Sequence, residues 1–170
     1  MTTISMYQAS VPVFVRTLTN LKSILEKAAR HAEARKIEPA ALLEARLFPD
    51  MFPLARQVQI ATDFARGTAA RLAGVEPPSF ADDEATFAEL VSRIERTLAY
   101  VDTVKAADIE GSERREIVRP IRGEPHRFTG LSYLLQFALP NFFFHATTAY
   151  AILRHNGIEI GKADFIGELD

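Results

Sequence analysis

The chain contains no cysteine and no tryptophan. Without cysteine it can form no disulfide, no thiolate nucleophile and no Cys-ligated zinc or iron–sulfur centre. A cysteine-free composition fits a reducing compartment, so a cytoplasmic location is expected. An excess of one charge is also lacking. Twenty Lys and Arg stand against 22 Asp and Glu, a net charge of −2. That balance offers no electrostatic footprint for nucleic acid or for an anionic membrane surface. No stretch approaches the ~18 uninterrupted apolar residues of a membrane span. The most apolar run, residues 131–152, is broken by Gln136, Pro140, Asn141, His145 and two threonines. The N-terminal Met-Thr-Thr-Ile-Ser-Met-Tyr has neither a basic nor an apolar region, so no signal peptide is expected. There is no Gly-rich phosphate loop, no Gly-x-Ser-x-Gly elbow and no His-Glu-x-x-His pair. Glu113-Arg114-Arg115-Glu116 is too short and too balanced to bind nucleic acid.

The 170 residues suit one domain, 1–170, with a sizeable core, and the 12 phenylalanines suggest a Phe-rich interior. Four segments carry helical periodicity. The first covers residues 5–35, with Val11, Phe14, Leu18, Leu21 and Leu25 in one stripe. Pro12 marks an irregular first turn or a kink. A short helix over 40–45 follows, then a turn at Phe48-Pro49-Asp50. The second long helix covers 51–73 and stops at Gly74. Its inner stripe reads Leu54, Val58, Ala61, Phe64, Ala65, Thr68 and Leu72, with Gln57 at the margin. Arg56, Gln59, Asp63 and Arg66 fall on its outer face. Asp82 or Asp83 caps a third helix running to 104, with Phe87, Leu90, Val91, Ile94, Leu98 and Val101 inward; capping also accounts for the acidic run Asp82-Asp83-Glu84. Between 105 and 129 the pattern lapses, and Ile109-Glu110-Gly111-Ser112 with Glu116-Ile117-Val118-Arg119 suggests a short hairpin. The fourth helix covers 131–155 and ends at Gly157, and the tail, 158–170, folds back on the rest. The fold class expected is all-α: an antiparallel four-helix bundle with a short hairpin between its third and fourth helices.

The fourth helix is the most informative. Its inner face holds Leu134, Ala138, Asn141, His145, Thr148, Ala149 and Ile152. Asn141 and His145 are one turn apart on that face, and Gln57 comes from another helix. Polar groups in a bundle core need partners. The cluster is either a satisfied core network or a pocket for a small molecule or metal. The remaining histidines suggest less. His155, beside Arg154, suits a helix C-terminus, His31 a surface, and His126 an exposed loop. Tyr7 and Tyr150 suit packing with a polar tip. Lys162 and Asp164 are either an ion pair anchoring the tail or, more in keeping with their position, two solvated charges.

Pro140-Asn141-Phe142-Phe143-Phe144-His145, followed by Ala149-Tyr150-Ala151-Ile152-Leu153-Arg154-His155-Asn156-Gly157, resembles the last helix of the DinB/YfiT-like superfamily. Met51-Phe52-Pro53-Leu54 with Gln57, and the ending Ile160-Gly161-Lys162-Ala163-Asp164-Phe165-Ile166-Gly167, narrow the resemblance to a bacterial family of unknown function within it. The resemblance implies a helical bundle, commonly with a divalent metal, zinc or nickel, on three histidines. One of those comes from the second helix and two from the fourth. Here His145 matches one member of the fourth-helix pair, Asn141 stands in place of the other, and Gln57 stands in place of the second-helix histidine. Gln57, Asn141 and His145 are therefore the candidate metal ligands, though amide oxygens compete poorly with imidazole for such metals. The same three residues could instead orient a polar small molecule. The resemblance thus implies a non-catalytic or ligand-binding protein with a degenerate metal site, expected as a homodimer. Its alternative is a divalent-metal-dependent thiol transferase or hydrolase working around His145.

Overall fold

The computed structural model describes residues 3–168. Leu169 and Asp170 of the tail, and Met1 and Thr2 of the N-terminal segment, lie outside the described residues. The described residues are mostly helical, with one small sheet. Its long helices are α1 (Val11–Arg35), α3 (Leu54–Ala73), α4 (Phe87–Thr103) and α7 (Leu139–His155). Short helices fill the connections: α2 (Pro39–Leu43), α5 (Ala106–Ile109), α6 (Gly130–Ser132) and α8 (Lys162–Ile166).

The four apolar stripes place these helices. Val11, Phe14, Leu18, Leu21 and Leu25 of α1 are all buried, mainly against α4. Pro12 lies in the first turn of α1, where a missing N–H costs no bond. Helix α3 packs on α7 and on α4. Phe14 of α1 meets Phe142 of α7 edge-on, ring centroids 4.9 Å apart, and neither is exposed. Gly74 and Gly157 stop α3 and α7 with φ of 75° and 86°, a region that glycine enters without strain. The helix leading into α7 widens to a π turn over Tyr133–Ala138. Pro140 follows two residues on; it offers no N–H and crowds the carbonyl four residues back, and a wider turn absorbs both defects.

The hairpin expected between the third and fourth long helices is present and gives this mostly helical fold a small sheet, but two of its details are corrected. Strand β1 (Glu116–Ile121) runs antiparallel to β2 (Glu124–Thr129), from Glu116 opposite Thr129 to Ile121 opposite Glu124. Ile109-Glu110-Gly111-Ser112 is not its first strand, since it lies across the end of α5 and a 3₁₀ turn over Ser112–Arg114. The turn is Arg122-Gly123, both with positive φ (52° and 87°), as a two-residue hairpin loop of this hand demands. Strand β2 is exposed along nearly its whole length, so it had no alternating apolar pattern to betray it. His126 sits in this strand, opposite Arg119, and not in a loop.

The cap of α4 also differs. Thr86 caps it, accepting from the Glu89 N–H (3.2 Å), while Glu89 accepts from the Ala85 N–H (2.8 Å). The tail docks as expected, but through α1. Asn20 donates to the Phe165 carbonyl (3.0 Å) and Lys27 pairs with Asp164 (2.5 Å). Asp164 thus anchors the tail, with Lys27 as its partner in place of Lys162.

Candidate functional site

Helices α3 and α7 carry the cluster. Gln57 lies in the first turn of α3 and is 1% exposed; His145 lies mid-way along α7 and is half-buried. The two meet at 2.7 Å, Gln57 Oε1 to His145 Nδ1. The amide cannot face the other way, because its Nε2 donates to the Phe52 carbonyl (3.0 Å), which can only accept. Gln57 therefore presents an acceptor to the imidazole, and Nδ1 must carry the proton. Among the described residues Nε2 has no hydrogen-bond partner.

Burial, reinforced by the positive charge of Arg56, pushes His145 down to about 4. The imidazole is neutral at pH 7. The Phe64 ring stacks on it (centroids 6.2 Å apart, planes at 17°), and Phe144 meets it edge-on at 5.2 Å. Asn141, one turn earlier, donates its amide to the Phe137 carbonyl of its own helix (2.7 Å). That bond returns the amide to a carbonyl one turn back, at the end of the π turn.

The three residues fit a tightly held divalent metal poorly. Gln57 Oε1 is already engaged by His145, and Asn141, whose Nδ2 donates to its own helix, offers only an amide oxygen, which competes poorly with imidazole. Among the described residues no group of three or more His, Asp or Glu side chains is placed to hold a metal ion. A single imidazole nitrogen is a weak basis for a zinc or nickel centre, which takes three or four protein donors.

The other histidines follow their settings. His155 lies with Arg154 in the last turn of α7, and His31 is partly exposed on α1. Tyr7 and Tyr150 pack at the core margin, Tyr150 against Phe165 at 5.8 Å.

Arg56, Gln59, Asp63 and Arg66 lie on the outer face of α3 by helix phase, but the segment joining α3 to α4 covers much of it. Gln59 and Arg66 are buried, and Arg93 of α4 is fully so. Arg93 Nη2 contacts Asp63 (2.7 Å) and Asp82 (2.9 Å). Its Nη1 donates to Glu84 (3.0 Å) and the Ala81 carbonyl (2.7 Å), and its Nε to Thr62 (2.8 Å). Burial opposes this charge most strongly, but Glu84, Asp63 and Asp82 outweigh it and hold the guanidinium above its ordinary range. Asp82 and Glu84 therefore neutralise a buried arginine and do not cap α4. A signal for this was present: Arg93 stands three residues after Leu90 and four before Thr97, within the inward stripe, some ten residues from an acidic run.

Comparison with known proteins agrees with the helical architecture. The model of a domain of unknown function, DUF1993, matches residues 6–166. The crystal structure of a DinB family member protein from Shewanella denitrificans is similar throughout: 42% identity, 96% of this chain and 93% of that one covered, TM-score 0.91. No curated protein matches. With almost its whole length matched by the family model, the chain belongs to the DUF1993 family of DinB-like domains.

Proposed function

We propose that this protein binds a small polar molecule at the partly exposed edge of His145, without catalysing a reaction on it. Its four long helices form an antiparallel bundle of the DinB/YfiT type, and Gln57 and Asn141 stand where the resemblance implies two of three metal-binding imidazoles. The observation carrying the proposal is the 2.7 Å bond between Gln57 and His145. It orients a neutral ring and leaves Nε2 as an acceptor. A histidine held near 4 is a poor general base at neutral pH, where an effective one titrates close to the working pH. It is well suited to accept a hydrogen bond from a ligand. A cysteine-free composition supports a cytoplasmic location.

A divalent-metal-dependent thiol transferase or hydrolase is the alternative. One feature favours it: an imidazole whose Nδ1–H is held by a carbonyl oxygen is oriented as metal-binding histidines are. Metal analysis of protein purified without an affinity tag separates the two. The binding reading expects less than stoichiometric zinc or nickel, and expects hydroxyl- or amine-bearing fragments to shift the His145 ring signals in NMR. A full equivalent of metal that vanishes in His145→Ala overturns it in favour of the enzyme.

We further propose a homodimer. Phe48 (64% exposed), Phe144 (57%) and Phe52 (53%) stand open, and Leu47, Phe143 and Phe144 line a shallow apolar groove along α7. Clustered apolar exposure of this kind marks an interaction face.

A further inference from the structure

A cleft with about 200 Å³ of free volume lies between α3, the segment after it, β1 and the start of the π turn. His145 is not part of its lining. Three guanidinium groups are: Arg66 and Arg71 from α3 and Arg119 from β1, together with Tyr133, Gly67 and one carboxylate, Asp63. That carboxylate is already shared between Arg93 (2.7 Å) and Arg66 (2.8 Å). It leaves the three cations of the cleft incompletely balanced.

The donors are also unmet. Arg66 is only 7% exposed, and its Nε and Nη1 are buried without a hydrogen-bond partner among the described residues; Nε of Arg119 is in the same state. Buried donors of this kind are rare in folded proteins and call for a partner. Burial pushes both arginines down, and at Arg119 the neighbouring Arg71 adds to it, with Tyr133 and Glu76 opposing. Arg71 Nη1 lies 3.4 Å from the Tyr133 hydroxyl. Room for Arg71 is made by Gly67, since a Cβ there would collide with the Arg71 guanidinium. A glycine in mid-helix is otherwise unfavourable.

We propose that this cleft is a second site, which binds a small dianion, a phosphate monoester or a dicarboxylate, through Arg66, Arg71 and Arg119 with the Tyr133 hydroxyl as a further donor. Guanidinium pairs suit either oxyanion because their N–H groups match two oxygens at once. Free volume equal to that of about seven liquid water molecules suits a compact solute and not a polymer chain. The cleft needs neither His145 nor a metal, so it stands or falls apart from the function proposed above.

The test uses the full chain, with inorganic phosphate and succinate as probes and sodium chloride at equal ionic strength as the control. Phosphate, succinate or both are expected to bind saturably by calorimetry and to raise the melting temperature beyond chloride. Whichever binds identifies the oxyanion. Arg71→Gln and Arg119→Gln are expected to weaken binding at least tenfold, whereas Arg127→Gln, on an exposed residue outside the cleft, leaves it unchanged. Gly67→Ala, which favours the helix but displaces the Arg71 guanidinium, is expected to weaken binding in a protein that still folds. No saturable binding beyond chloride overturns the proposal. So does binding that survives Arg71→Gln, Arg119→Gln and Gly67→Ala.

Discussion

Gln57 and His145 are 88 positions apart in sequence and 2.7 Å apart in space. Their bond defines the tautomer of the imidazole and ties the first turn of α3 to the middle of α7. The Phe52 carbonyl completes the chain by holding the amide in place.

Acid should expose the state of His145. Its folded pKa, about 4, lies below the ordinary histidine value of 6.5. Between those values the unfolded chain takes up a proton that the folded one refuses. The resulting stability is complete above about 6.5 and is lost as pH falls from there towards 4. Denaturant titrations at pH 7 and pH 4.5 should show a larger loss in the native protein than in His145→Gln. The ring signals should titrate near 4 in NMR, and a midpoint near 6.5 would contradict the buried, neutral ring.

Either end of the bond should matter for folding. His145→Ala leaves the buried Gln57 oxygen unpaired, and Gln57→Leu leaves Nδ1–H and the Phe52 carbonyl unpaired. Each should cost about 1–3 kcal/mol by urea denaturation. The double variant should cost less than the sum, by about 0.5–3 kcal/mol, because one bond is lost only once. Additive losses would mean that the two side chains do not stabilise one another.

Arg93 should be the most sensitive polar residue of the interior. Replacing it by Met removes the nearer of two cationic partners of Glu84, whose side chain is 3% exposed, and part of the balance at Asp63 and Asp82. A loss of about 3–5 kcal/mol is expected, the usual consequence of stranding a buried charge. Arg127→Met, whose pair with Glu116 is open to solvent, should cost under ~1 kcal/mol. Equal effects in the two variants would refute the network.

The apolar face of α7 predicts self-association. Sedimentation of the native chain should give a dimer, and Phe144→Glu should shift it to monomer without lowering helical content by circular dichroism. A native chain that sediments as monomer at high micromolar concentration would remove the proposal.

The four long helices were legible because a 3.6-residue apolar repeat needs no knowledge of its partners, though the starts of α1 and α4 lie about four to six residues later than expected. Val11, Phe14 and Leu18 in α1, and Leu90 and Ile94 in α4, lie buried where that repeat puts them. Gly74 and Gly157 marked two helix ends for an equally local reason. The facing of Gln57 and His145 was legible too, from helix phase together with the family resemblance. Tertiary structure alone decided the rest. Whether Arg66 and Arg93 meet water or carboxylates depends on where the segment joining α3 to α4 lies, and helix phase carries no information about that. The gathering of Arg66, Arg71 and Arg119 likewise depends on β1 reaching α3, and β1 is held by a strand too exposed to be recognised from its own residues. Periodicity reports which face of an element is apolar; which polar groups share a cavity is settled only when remote segments close over it.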